Sequence, residues 1–100
     1  MATYHLQRKS LTVQAVKFNG NNYAEILAFT GAGNFLQVEP PRKVPGDGVI
    51  VAEVYSVLHA EWVGVRRGQW IVRGTVGELY PIFDQVAHAG YEIPEGGWPE

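Results

Sequence analysis

A chain of 100 residues that is 46% hydrophobic and 18% charged can bury one modest core and leaves no room for two. Lys and Arg number 8 against 10 Asp and Glu, a formal charge of −2, which excludes the strongly basic face that duplex nucleic acid requires. Cysteine is absent, so disulfides, thiolate metal sites and cysteine nucleophiles are excluded and packing alone must hold the fold.

From Met1 to Lys9 no apolar run reaches the length of a signal peptide or membrane span, so a soluble, cytoplasmic chain with no membrane partner is expected. Charge is uneven. Residues 1–24 carry Arg8, Lys9 and Lys17 and no acid, whereas residues 74–100 carry Glu78, Asp84, Glu92, Glu95 and Glu100 and no base. If the two ends share a sheet, this asymmetry favours their contact; otherwise it leaves a solvated, dipolar surface.

Leu11 to Phe18 alternates as a strand, and the succession Ala15-Val16 implies either a bulge or a strand covered on both faces. Asn22 with Glu25 three residues on has the spacing of a capping box and starts a short helix, with Tyr23, Ile26, Leu27 and Thr30 on one stripe and Gly31 at its end. Phe35 to Val38 reads as a second strand stopped by Pro40-Pro41, and residues 40–48 as a loop. Val49 to Val54 is β-branched and continues toward Leu58; after a turn near His59-Ala60-Glu61 come strands Trp62 to Val65, Gln69 to Arg73 and Glu78 to Pro81, separated by turns at Arg67-Gly68 and Gly74–Gly77. Asp84 to Ala89 forms one helical turn ending at Gly90, Tyr91 to Ile93 a last edge strand, and 94–100 a tail that is flexible or packed on a partner. The expected fold is a single α+β domain over residues 1–93: a small, curved antiparallel sheet forming a partial barrel, with one short α-helix near the N-terminus.

The hairpin around Gly74–Gly77 concentrates chemistry. A four-residue turn would set Arg73 opposite Glu78 and Ile71 opposite Tyr80, all on one face, with Trp70, Val72 and Leu79 on the other. Two readings stay open. Arg73 and Glu78 form a cross-strand ion pair that pins the register, or they join Tyr80 and Trp70 in a small polar site in which a guanidinium meets an anion and an aromatic ring stacks.

The run Arg67-Gly-Gln-Trp-Ile-Val-Arg-Gly-Thr-Val-Gly-Glu-Leu-Tyr-Pro81 resembles a family of small bacteriophage and prophage proteins marked by Gly-Asp-Trp-Ile-Val-Arg-Gly, then Gly-Glu-Phe-Tyr-Pro, and a closing Phe-Glu-x-x-Tyr-Glu. The resemblance extends to Val13-Gln-Ala-Val-Lys-Phe-Asn-Gly20 and the helix start and Gly31 that follow, and covers most of the chain. Gln69 stands where that family has Asp, Leu79 and Ala87 stand for Phe, and the tail after Ile93 differs. The resemblance implies a phage origin and work in the host cytoplasm, and brings no catalytic residue with it.

Catalytic and cofactor signatures are absent from the residue pattern. His5, His59 and His88 lack metal-ligand spacing, Ser10 and Ser56 lack a nucleophile elbow, and Gly31-Ala32-Gly33 follows a helix rather than a strand, so neither a metal nor another cofactor is expected. Arg66 and Arg67, with Arg42 and Lys43, can form an anion-binding rim or a solvated turn. Trp62 and Trp98 are candidates for partner contact. The expected function is non-enzymatic: a phage protein that sequesters a nucleotide-type small molecule or blocks a host defence protein. Its ligand residues would be Trp70, Arg73, Glu78, Tyr80, Arg66 and Arg67, in a pocket shared within a homo-oligomer because so short a chain makes a poor deep pocket alone. The alternative is an interaction module with no small-molecule ligand, using sheet edges and Trp98.

Overall fold

A computed structural model describes residues 3–8, 11–91 and 93. The elements, in chain order, are β1 (Tyr4–Arg8), β2 (Leu11–Lys17), α1 (Tyr23–Thr30), β3 (Phe35–Val44), β4 (Gly48–Ser56), β5 (Glu61–Val65), β6 (Trp70–Arg73), β7 (Leu79–Ile82) and α2 (Asp84–Gly90). The architecture is α+β and antiparallel. Instead of one sheet curling toward a barrel, the strands form two, a four-stranded sheet in the order β1-β2-β6-β7 and a three-stranded meander β3-β4-β5. The reason lies in β2. Its edges are taken by β1 and β6, so the chain leaving α1 has no ladder to join there and builds its own. The expected single N-terminal helix is likewise replaced by two, of which α1 follows two strands and α2 follows the last.

The four-stranded sheet is covered on both faces, which explains the Ala15-Val16 succession without a bulge. Val16, Ile71 and Leu79 face Phe35, Ala52, Val54 and Val65 of the meander and Ile26 and Phe29 of α1. Val13, Ala15, Trp70 and Val72 face the other way, with Leu6, with Ala87 of α2, and with the partly buried Tyr4, Tyr80, Tyr91 and Ile93 around them. Tyr91 and Ile93 thus contribute by packing; neither belongs to the edge strand expected for 91–93.

Two local expectations are corrected. Asn22 and Glu25 do meet, but side chain to side chain, Asn22 Nδ2 donating to Glu25 Oε1 at 2.8 Å and to the Lys17 carbonyl at 2.8 Å. Asn22 Oδ1 accepts from the Asn19 amide at 3.0 Å instead of from the helix, so the Asn cluster clamps the β2–α1 corner rather than capping α1. Pro40-Pro41 does not end β3. The strand runs to Val44, and its pairing with β4 shifts between Gln37 and Arg42 so that residues lacking an N–H fall in the irregular stretch, where no ladder bond is lost. No helix among the described residues is long and apolar enough to cross a membrane.

Candidate functional site

The β6–β7 hairpin does not have the register that its turn residues imply. Trp70 pairs with Ile82, Ile71 with Pro81, Val72 with Tyr80 and Arg73 with Leu79. The connecting loop runs from Gly74 to Glu78, one residue longer than Gly74–Gly77. It is closed by Gly74 N–H donating to the Glu78 carbonyl at 2.8 Å and Gly77 N–H to the Gly74 carbonyl at 3.0 Å, with Gly77 at φ +86°, a conformation open to glycine. A slip of one residue exchanges the faces of a strand. Arg73 therefore shares its face with Ile71 and Leu79, while Tyr80 joins Trp70 and Val72 on the other, and the expected Arg73–Glu78–Tyr80 constellation does not form.

The candidate residues of this hairpin and the turn before it have structural tasks instead, and Tyr80 packs against the cluster of Trp70 and Val72. Trp70 is fully buried, with its ring edge-on to Tyr4 at 5.6 Å, and offers no face to a ligand. Arg73 donates from Nε and Nη2 to Gln14 Oε1 at 3.0 and 2.7 Å and from Nη1 to the Phe29 carbonyl at 2.8 Å, with its guanidinium 4.3 Å from the Phe29 ring centroid. Helix α1 has no basic residue in its last turn, so Arg73 supplies from the sheet the cation that the carbonyl end of the helix favours. Glu78 folds back over Gly74 and accepts from the Val76 amide at 3.1 Å. Arg66 is bound to Asp47 through both its side chain and its carbonyl, and stacks on Phe83 at 5.6 Å. Gln69 is buried and its Oε1 accepts from the Arg66 amide at 2.7 Å, fixing the turn with an oxygen a short acid could also present.

Lys17 and Asp84 bring the basic and acidic ends of the chain together at 3.3 Å. Asp84 Oδ1 accepts from the Trp70 indole N–H at 2.9 Å and lies 3.3 Å from His88 Nε2. The indole hydrogen bond, followed by the Lys17 and His88 contributions, holds the Asp84 carboxyl below its ordinary range against the opposing effect of burial. A carboxyl lowered in the folded state stabilises above its unfolded pKa and ceases to do so as pH falls through the folded value. Thermal melts of the wild type and Asp84→Asn are therefore expected to differ at pH 7 and to converge as pH falls below the unfolded carboxylate pKa of roughly 3.9 and through the lowered folded value. A gap that stays constant with pH would contradict this assignment.

Of the sequence candidates, Arg67 alone is left with a guanidinium that makes no hydrogen bond or ion pair among the described residues. Its position is set from both sides. Phe18 N–H donates to the Gln69 carbonyl at 2.9 Å and Gly68 N–H to the Phe18 carbonyl at 2.7 Å, holding the β5–β6 turn against the end of β2. The aliphatic part of Arg67 lies over Gly20, where a Cβ would come within 2.8 Å of its Cδ. The irregular stretch of β3 opens a cleft beside it, lined by Phe18, Gly20, Tyr23, Gln37, Val38, Glu39, Pro41, Val51 and Arg67, with a volume of about 100 Å³. On its other side Arg67 borders an open depression of about 480 Å³ with Gly68, Phe83, Asp84 and Gln85.

Sequence reasoning missed Gln37, Glu39, Phe18 and Tyr23. The signal was Pro40-Pro41, which marks an interruption of the ladder as much as an end of a strand. Trp62 is 38% exposed and edge-on to Tyr55 at 5.3 Å on the meander; Trp98 lies outside the described residues. Among the described residues no group of His, Asp and Glu is placed to hold a metal ion. The chain matches no family model, and no curated protein or solved structure shows significant similarity to it.

Proposed function

We propose that this chain is a non-enzymatic binding protein, of the phage type that its Arg67–Pro81 run resembles, acting in the host cytoplasm by holding a nucleotide-like anion at Arg67. The observation that carries the reading is the Arg67 guanidinium, which makes no hydrogen bond or ion pair among the described residues and stands between a small cleft and an open depression. A planar fork with five donors is suited to a phosphate, and the half-buried Tyr23 ring in the cleft wall suits a ring. Typical ligand pockets occupy roughly 300–1,000 Å³, so the cleft of about 100 Å³ would take only part of the ligand, with the remainder extending over the depression beside Gly68 and Phe83. A second copy of the chain closing over that depression would complete the enclosure.

The test is thermal stabilisation by mononucleotides, cyclic dinucleotides and NAD-derived nucleotides. A ligand at 100 times its dissociation constant stabilises by about 2.7 kcal/mol. Arg67→Ala is expected to weaken binding by roughly 10- to 100-fold, since a hydrogen bond to a charged group contributes about 1.5–3 kcal/mol. If no nucleotide stabilises the wild type at millimolar concentration, the reading fails. The alternative, an interaction module without a small ligand, then gains, and its own support is the partly exposed Trp62 on β5 together with Val57 and Leu58 in the β4–β5 turn, each 65% exposed.

A further inference from the structure

Arg67 and Glu39 line the same cleft, and neither forms an ion pair among the described residues, which leaves both charges to a ligand. They come from different elements, Arg67 from the β5–β6 turn and Glu39 from the irregular stretch of β3. Gln37 Nε2 donates to Glu39 Oε2 at 3.0 Å between two exposed side chains, which leaves two acceptors, Glu39 Oε1 and the Gln37 amide oxygen, without a donor among the described residues. The cleft lining thus includes acceptors from β3, a cation from the turn and the half-buried Tyr23, whose ring leans on Phe35 at 5.4 Å and whose hydroxyl donates to the Phe35 carbonyl at 3.3 Å, whereas Phe18 is buried and closes the floor.

Resting on the reading of Arg67 as an anion site, we propose that the cleft selects a guanine-type ring, with Glu39 accepting from its edge and Arg67 receiving the phosphate. An ionised carboxylate only accepts hydrogen bonds. Guanine offers two adjacent donors on its pairing edge, the ring N–H and the exocyclic amine. Adenine offers one donor beside a lone pair, which a carboxylate repels. Stacking on aromatic side chains with hydrogen bonds to the pairing edge is how unpaired bases are generally read.

Calorimetric titration with guanosine and adenosine 5′-monophosphates tests this on the wild type, Glu39→Gln and Arg67→Ala. Guanosine monophosphate is expected to bind at least about tenfold more tightly than adenosine monophosphate, the discrimination one well-placed pair of hydrogen bonds provides. Glu39→Gln should remove that preference by weakening guanosine binding while adenosine binding rises as the repulsion on its lone pair is lifted, whereas Arg67→Ala should weaken both. Glu39 is exposed, so its replacement is not expected to perturb folding. Equal affinities in the wild type, or an equal loss of both in Glu39→Gln, overturn ring selection while the Arg67 site stands. Absence of binding by either nucleotide overturns the site along with it.

Discussion

Trp70→Ala is expected to cost about 3–5 kcal/mol, the usual range for deleting a large buried aromatic. The ring is fully buried among Leu6, Val13, Ala15, Val72 and Ala87, and its N–H is bonded to Asp84, so the substitution opens a cavity and breaks the contact that ties α2 to the sheet. Domains of this size have a total stability of roughly 5–15 kcal/mol, so the variant should lie near the threshold of folding. Urea denaturation followed by far-ultraviolet circular dichroism measures the effect. A loss below about 1 kcal/mol, the typical value for an average substitution, would show that the indole is not buried as described.

Arg73→Met should lower stability by about 2–3 kcal/mol without altering affinity for any ligand held at Arg67. The methionine keeps the stem that packs on Phe29 but leaves Gln14 and the Phe29 carbonyl without their charged donor, and unsatisfied groups of this kind cost roughly 1–3 kcal/mol each. The paired measurement, urea denaturation and nucleotide titration on one variant, separates the two roles that the Arg73 sequence context leaves open. Unchanged stability with lost binding would return Arg73 to the site; the reverse confirms it as the tether between α1 and the sheet.

Most of the strands and the start of α1 are legible because each depends on neighbours in sequence: β-branched runs such as Val49–Val54, and the Asn22 and Gly31 that bound the helix. What the sequence does not reveal depends on neighbours in space. β1 is too short and mixed to announce itself, and exists as a strand because β2 offers it an edge. The continuation of β3 past Pro40-Pro41 is decided by a bulge that only pairing with β4 defines. The hairpin register turns on whether the loop closes at Gly77 or at Glu78, a choice that glycine allows both ways and that Leu79, packed into the core opposite Arg73, resolves. The candidate site follows the same division. Arg67 was visible as a cation in a turn, but its role depended on which arginines the fold would consume, and Glu39 became a neighbour only through the irregularity in β3.

Lys17 and Trp70 are ladder partners although helix α1 and the whole meander lie between them. Topologically, then, everything from Phe18 to Gln69 is an excursion that departs from one rung and comes back to it. Its two ends are held a single strand spacing apart whatever happens in between. Length changes at the meander's outer turns stay within the excursion and leave the four-stranded framework in register.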